Sequence, residues 1–113
     1  MRWVFQLVQE YRSLKDAESG RKVAAEGYRL MSGGRGYKNA CLRGFFAADM
    51  MFLEADEKKW DACYGIYKKL KKDNKPIGRV AAAYMEYEAA RASNHLGMTR
   101  NSQKHCRRYI EAY

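Results

Sequence analysis

Residues 92–109, ASNHLGMTRNSQKHCRRY, have the pattern of two helices joined by a tight turn. The first helix is expected to end at Leu96, and Gly97 suits the left-handed backbone position that closes a helix. Met98 supplies the apolar residue of the turn, and Thr99 can cap the next helix by accepting from its free backbone N–H groups. The stretch therefore predicts a helix–turn–helix. The alternative is an ordinary helical corner followed by a solvated basic helix.

The residues after Thr99 are compatible with a helix and are strongly basic. A helix that reads DNA carries such groups on its outer face, because base edges and phosphates are recognised by hydrogen bonds and charge. Arginine matches the two acceptors of guanine, and asparagine matches the acceptor and donor of adenine. The expected base contacts are Arg100, Asn101, Lys104 and His105. The expected phosphate contacts on the same helix are Thr99, Arg107 and Arg108.

The charge of the whole chain favours a polyanionic partner. The formal net charge is +9 and the pI is about 9.6, an excess that attracts polyanions and is screened by salt. Nucleic acid is the commonest such partner, with an acidic protein surface or anionic lipid as competitors. The run KKLKKDNK, residues 68–75, is by itself typical of a solvated helix face. Its position before the basic helix favours contacts with phosphates, which carry no sequence information. Its expected phosphate contacts are Lys68, Lys69, Lys71, Lys72 and Lys75.

Length and composition limit the class of protein. The 113 residues, of which 47% are hydrophobic, suffice for one domain with a modest core. No apolar run is long enough to span a bilayer, and the N-terminus lacks a small-residue cleavage site, so neither a membrane span nor a signal peptide is expected. The three cysteines are far apart and odd in number, which favours a reduced, cytoplasmic setting over a disulfide framework.

The first half of the chain reads as helical. Apolar residues recur at helical spacing between Val4 and Leu14, which predicts an amphipathic helix over residues 3–16 that Gly20 ends or interrupts. A weaker helix is expected over residues 21–31. The segment SGGRGYKN, residues 32–39, predicts a flexible basic connector. We therefore expect an N-terminal helical arm over residues 1–36 and a helical domain over residues 37–113.

Residues 39–54 are apolar on nearly every side, which predicts a buried central helix. An alternative use of this stretch is a methionine-rich groove that binds a peptide. Asp56 is expected to cap the next helix. The inner face of that helix is expected to carry Trp60, Cys63, Tyr64, Tyr67 and Leu70.

Pro76 fits the first turn of a further helix, where its missing N–H has no consequence. The apolar stripe of that helix is expected to run through Val80, Ala83, Tyr84 and Tyr87. Over residues 77–113 the pattern predicts three short helices, the number that a minimal helix–turn–helix domain needs. The fold class predicted for the chain is all-α, a small helical domain with a C-terminal helix–turn–helix.

Residues 79–113 resemble the region-4-type helix–turn–helix of sigma factors. They are also similar to the C-terminal domains of small phage transcription regulators, including late antiterminators of the Q type. That pattern is an apolar helix ending in tyrosine, a small residue, then Leu-Gly-apolar-Ser/Thr-Arg and a basic helix. The matching positions are Ala82, Tyr84, Ser93, Leu96, Gly97, Met98, Thr99 and Arg100.

The resemblance covers about a third of the chain and has two departures. Gln103 and Arg107 stand where the pattern places apolar residues. The apolar stripe of the last helix is instead expected to run through Cys106, Tyr109, Ile110 and Tyr113. The resemblance implies a sequence-specific regulator that binds double-stranded DNA. It also implies that the remaining helices engage RNA polymerase, as a late-gene antiterminator does.

The sequence shows no arrangement typical of an enzyme or a metal site. His95 and His105 are the two histidines, and neighbours such as His105 and Cys106 point about 100° apart in a helix, too far to chelate one metal. No paired-carboxylate, His-Glu-x-x-His or nucleophile motif is present. We therefore expect no enzymatic activity, no metal and no cofactor.

Three functions of different classes remain open. The first, which we favour, is a sequence-specific DNA-binding transcription regulator. The second is a small helical subunit that binds a nucleic-acid backbone without reading sequence, with most of the affinity from the lysine run. The third is a helical protein-interaction module that uses the stretch around Met50. Competition between cognate and random duplexes separates the first two, and a lack of salt-sensitive binding supports the third.

Overall fold

The computed structural model describes the backbone of residues 2–112 and the side chains of residues 6–111. These residues form six α-helices and no strand, which confirms the all-α prediction. The helices are α1 (Arg2–Ser13), α2 (Ala17–Met31), α3 (Tyr37–Asp56), α4 (Trp60–Asp73), α5 (Arg79–His95) and α6 (Thr99–Ala112). None of the helices in the described range combines the length and apolarity that a bilayer crossing needs.

Helix α3 is the centre of the molecule, as its apolar sequence predicts. It packs against α1 and α2 on one side and against α4 and α5 on another. Phe46 and Leu53 face a cluster shared with α1 and α2, whereas Ala47 and Met51 face the larger cluster shared with α4 and α5. Met50 packs against both clusters. The alternative of an exposed methionine groove is therefore wrong, because these side chains form the core.

The first two helices form a pair that is packed on α3. The turn between them places Lys15 at a φ of 59°, and the Asp16 carboxylate caps α2 by accepting from the Ser19 amide. Gly20 therefore lies inside α2 and does not end α1, contrary to the prediction. A Cβ at Gly20 would lie 2.8 Å from the Leu53 side chain, so the glycine permits close packing. The segment predicted as an N-terminal helical arm is thus packed on the central helix over its described part.

The start of α4 differs from the prediction, whereas its inner face agrees with it. Asp56 is the last residue of α3 and pairs with Arg12 at 2.7 Å, so it does not cap α4. The cap position of α4 is Lys59, which makes no side-chain cap. The inner-face residues are buried or half-buried as predicted: Trp60, Cys63, Tyr64, Tyr67 and Leu70.

Two helices, not the three predicted, span the described part of residues 77–112. Pro76 lies in the loop before α5, where its carbonyl accepts from Arg43, and α5 begins only at Arg79. A Cβ at Gly44 of α3 would lie 1.9 Å from the carbonyl oxygen of Ile77, so this glycine allows the loop to approach α3. The predicted stripe of α5 is wrong except at Ala83, because alanines and Met85 fill the buried face. The exposed stripe residues are Val80, Tyr84 and Tyr87.

The turn between α5 and α6 matches the sequence prediction at Gly97, whose φ is 77°. Leu96 is the C-cap of α5. The amide of Met98 donates to the Ser93 carbonyl at 2.8 Å, the type of bond that closes a helix at a left-handed residue. The Ser102 amide donates to the Met98 carbonyl at 2.9 Å. Met98 therefore occupies the cap position predicted for Thr99, which is the first residue of α6.

Helices α5 and α6 contact each other far beyond the turn. Ser102 Oγ donates to the Ala90 carbonyl at 3.1 Å, close to the turn. Further along, His105 Nδ1 lies 2.8 Å from Glu86 Oε2, and the rings of Tyr87 and Tyr109 lie 5.7 Å apart. In a DNA-binding helix–turn–helix the two helices cross at roughly 90–120°, which keeps contacts near the turn. These contacts are those of an antiparallel helical hairpin.

Candidate nucleic-acid interface

A buried polar network joins α4, α5 and α6. The ring of His105 lies between Glu86, 2.8 Å from Nδ1, and the Tyr64 hydroxyl, 2.9 Å from Nε2. The tautomer with its proton on Nδ1 donates to Glu86 and accepts from Tyr64. The Tyr67 hydroxyl donates to the other Glu86 oxygen at 2.5 Å. Burial raises the pKa of Tyr67, and its hydrogen bond to Glu86 raises this pKa further.

His105 does not contact bases in this arrangement, so that prediction is wrong. The side chain is 3% exposed and both ring nitrogens have partners inside the protein. The predicted apolar stripe of α6 is also wrong at Cys106 and Ile110, which are exposed, while Tyr113 lies outside the described residues. The inner face instead carries Ser102, His105 and Tyr109. Their partners on α5 are the Ala90 carbonyl, the Glu86 carboxylate and the ring of Tyr87.

Basic side chains of two helices meet over this network. Lys68 Nζ lies 5.7 Å from the centroid of the Tyr64 ring, and Lys71 Nζ lies 5.9 Å from that of Tyr67. From α6, Arg108 Nη1 lies 3.5 Å from the Tyr67 hydroxyl oxygen. The two tyrosines thus bring the lysine run and the basic last helix, which are far apart in sequence, to one surface.

We call this surface the α4–α6 basic face, and it comprises the three cations at the tyrosines and two more that lie one helical turn from them. Lys72 follows Lys68 by four positions and Lys104 precedes Arg108 by four, so each pair shares a helix side. The members are Lys68, Lys71, Lys72, Lys104 and Arg108. All are exposed except the half-buried Arg108.

The remaining predicted contacts flank this face or lie beyond it. Lys69 is exposed and is two positions past Tyr67, which places it about 160° around α4 from that ring. Lys75 lies beyond the end of α4 and is half-buried. On α6, Asn101 is half-buried. The outward-facing positions of α6 include the exposed Thr99, Arg100 and Arg107.

The distribution of acidic residues makes the surface more basic than the net charge indicates. Four of the thirteen acidic residues are buried, whereas Arg43 is the one buried cation among the described side chains. The buried acids are Asp49, Glu54, Glu86 and Glu88. From Thr99 to Ile110 the sequence has no acidic residue, so nothing on that stretch of α6 offsets its positive charge.

Asp49 is a second buried carboxylate, held between α1 and α3. Its Oδ1 accepts from Gln9 Nε2 at 3.0 Å, and its Oδ2 has no hydrogen-bond partner among the described residues. Burial raises the pKa of Asp49 to about 7, although the Gln9 hydrogen bond and the charge of Arg12 act in the opposite direction. Its ionisation therefore makes part of the folding stability depend on pH. Asp49 is not part of the α4–α6 basic face.

Sequence reasoning missed the residues that organise this surface. Glu86 lies in an alanine-rich helix whose pattern predicts only packing, and the sequence predicts that Tyr64 and Tyr67 are core residues without a polar role. A signal was present, since Glu86 and Glu88 are the acidic residues of an otherwise small and apolar face of α5. Within the described part of the chain, no three His, Cys, Asp or Glu side chains gather closely enough to hold a metal ion.

The chain matches no family model, and comparisons with curated proteins and with solved structures give no significant match.

Proposed function

We propose that the chain binds nucleic acid by holding the phosphate backbone on the α4–α6 basic face. One observation carries this proposal. Lys68 and Lys71 of α4 and Arg108 of α6 come together over Tyr64 and Tyr67, although about forty positions separate the two basic segments. The buried hydrogen bonds of His105 to Glu86 and Tyr64 join α4, α5 and α6 and so hold the two basic segments together.

The chemistry of this surface suits phosphates better than bases. Lysine is a compact point charge that contacts phosphate oxygens without reading sequence. The lysines are exposed, so they reach a passing strand without any change in the fold. Binding of this kind is tolerant of sequence and strongly dependent on salt. The proposal therefore corresponds to a helical subunit that binds a nucleic-acid backbone.

Matched charge-removal variants test this proposal. The double variant K68A/K71A removes two cations beside the tyrosines, and K22A/K69A removes two exposed cations that lie away from them. With a random duplex at moderate salt, we expect K68A/K71A to lose about tenfold or more in affinity and K22A/K69A to stay within about twofold of the parent. Equal losses in the two variants would show that net charge alone, and not this surface, governs binding.

A second candidate is the sequence-specific, cytoplasmic DNA-binding regulator to which residues 79–113 bear a resemblance, with RNA polymerase as its further partner. The exposed positions of Arg100 and Lys104 on the first turns of α6 favour it, because that end of a recognition helix contacts base edges. The hairpin packing of α5 on α6 counts against it, because it differs from the helix crossing of that motif. This candidate function has fewer residues available for base contacts than the sequence predicts, since His105 is buried and Asn101 is half-buried.

Arg100→Ala separates the two candidates. If α6 reads bases, the variant loses affinity for a duplex selected from a random library but not for random duplexes, by about 1–3 kcal/mol. If the backbone-binding proposal is right, the variant weakens both duplexes alike and only slightly.

A further inference from the structure

The loop before α3 and the loop before α5 border an open cavity of about 570 Å³. Arg35 and Gly36 line it from the first loop, Tyr37 lines it from the start of α3, and Lys75 and Gly78 line it from the second loop. Arg43 of α3 lines it as well. No acidic residue is among the described residues that line this cavity. Three cationic side chains therefore face one space without a carboxylate of its own.

Arg43 is the least expected of these cations, because it is 3% exposed. Its Nε and Nη2 donate to the Pro76 carbonyl at 2.8 and 2.6 Å, and its Nη1 donates to the carbonyls of Met31 and Gly34 at 2.7 and 3.3 Å. All these acceptors are neutral. A guanidinium has five N–H donors, so at least one has no acceptor among the described residues. No carboxylate of those residues lies within ion-pair distance of it.

A buried charge without a counter-ion is unfavourable unless another group compensates it. The bonds of Arg43 to Pro76, Met31 and Gly34 tie both loops to α3 and fix the walls of the cavity. They satisfy four of its five donors but leave its charge uncompensated. An anion in the cavity would supply the missing charge and accept from the remaining donor.

The backbone around the cavity supports the same ligand. Gly36 has φ 93° and ψ 170°, and Gly78 has φ 77° and ψ 156°, a region of backbone space that is essentially restricted to glycine. Each glycine is the N-cap of a helix, and neither helix has a side-chain cap in the described structure. The N-terminus of a helix carries partial positive charge and favours anions. The cavity therefore combines the N-termini of α3 and α5 with three cationic side chains.

We propose that this cavity is a binding site for a phosphate group. Its two sources are free inorganic phosphate and the terminal phosphate of a nucleotide or strand. The exposed ring of Tyr37 at the cavity offers a stacking surface for a base in the second case. The site is distinct from the α4–α6 basic face, although Lys75 directly follows the lysine run, and it does not depend on the function proposed above.

Titration with inorganic phosphate at constant ionic strength, followed through the backbone amide resonances, tests this site. We expect saturable shifts at Gly36 and Gly78. Arg35→Ala and Lys75→Ala should each weaken binding by about tenfold, while melting stays unchanged because Arg35 is exposed and Lys75 is half-buried. Lys22→Ala, an exposed cation on α2, is the control and should bind as the parent does.

Two further arms identify the source and separate this proposal from the previous one. A short 5′-phosphorylated oligonucleotide that binds more tightly than its 5′-hydroxyl form indicates a strand end, and equal binding of phosphate and the phosphorylated strand indicates the phosphate alone. The variant K68A/K71A should leave phosphate binding unchanged. Shifts that do not saturate, or a loss in Lys22→Ala as large as in Arg35→Ala, would overturn the phosphate site.

Discussion

At the scale of single residues, His105 links three helices through two hydrogen bonds. Its position on α6 puts it opposite Glu86 of α5, and its second nitrogen reaches Tyr64 of α4. A polar side chain in this position is stable because each of its donors and acceptors has a partner. Removing one member leaves the others buried and unsatisfied, which costs more than the hydrogen bond itself contributes.

His105→Ala should therefore destabilise the fold by about 3 kcal/mol. The variant leaves one oxygen of Glu86 and the hydroxyl of Tyr64 without their partner. Urea unfolding followed by circular dichroism measures the change. Lys104→Ala, next to it on the exposed side of α6, is the control and should change stability by less than about 0.5 kcal/mol. A comparable loss in both variants would contradict the network.

Asp49 makes the stability depend on pH. Because its pKa is raised in the folded state, the folded protein holds this proton more tightly than the unfolded chain does. The resulting stabilisation is fully present below the ordinary pKa of 3.8 and is lost as the pH rises through about 7. Asp49→Asn keeps the shape and removes the ionisation.

We expect Asp49→Asn to flatten the decline of stability between roughly pH 4 and 7. At roughly pH 8 it should be more stable than the parent, by on the order of 4 kcal/mol at most. Urea unfolding at several pH values checks this expectation. A decline that is equally steep in the variant would show that another group causes it.

The burial of His105 could not be predicted from the sequence. The basic and polar stretch after Gly97 predicted an exposed face for His105, because the sequence shows polarity but not the partner that satisfies it. Glu86 lies nineteen positions earlier, and only the packing of α5 on α6 brings the two together. Positions set by local backbone geometry were predictable, as the left-handed Gly97 shows.

At the scale of elements, glycines determine how closely helices approach and where they end. Gly44 and Gly65 both lie inside helices but in different surroundings. A Cβ at Gly44 would lie 1.9 Å from the carbonyl oxygen of Ile77, whereas a Cβ at Gly65 would have nothing within 4 Å. The same substitution therefore has opposite consequences at the two sites.

Gly44→Ala should destabilise the protein by about 2–3 kcal/mol or more, because backbone must move to make room for the methyl group. Gly65→Ala should stabilise it by about 0.5–1 kcal/mol, since alanine is the better helix former in an open position. Thermal unfolding of the two variants measures both effects. A tolerated Gly44→Ala would mean that α3 and the loop before α5 are not in contact as described.

Gly97→Val should lower the melting temperature, because a β-branched residue resists the φ of 77° that the turn requires. The expected loss is about 1–3 kcal/mol, the strain of a residue held in a sparsely populated backbone region. Arg100→Ala, three positions later and exposed, should melt as the parent does. If Gly97→Val melted like Arg100→Ala, the closure of α5 at this glycine would be wrong.

Helix positions were predictable where hydrophobic periodicity was strong. The inner face of α4 follows directly from it, whereas the buried α3 follows from a sequence that is apolar on nearly every side. The boundaries near Gly20, Asp56 and Pro76 were not predictable from residue preference alone. In each case the residue serves a tertiary contact instead: Gly20 packs on Leu53, Asp56 pairs with Arg12, and Pro76 accepts from Arg43.

At the scale of the whole molecule, burial separates the charges. Four acidic side chains lie in the interior, while nearly all described cations reach the surface. The excess of positive charge was evident from composition, and the prediction of a polyanionic partner stays a prediction. The place where cations concentrate was not evident, because the lysine run and the last helix become neighbours only through the tyrosines of α4.

The salt dependence of binding to a random duplex tests the α4–α6 basic face most directly. Each phosphate contact contributes about 0.9 to the slope of log affinity against log salt concentration. We predict a steep negative slope for the parent and a slope shallower by about 2 for K68A/K71A, with K22A/K69A matching the parent. A slope near zero in the parent, or one that K68A/K71A leaves unchanged, would contradict the proposal that this face holds the phosphate backbone.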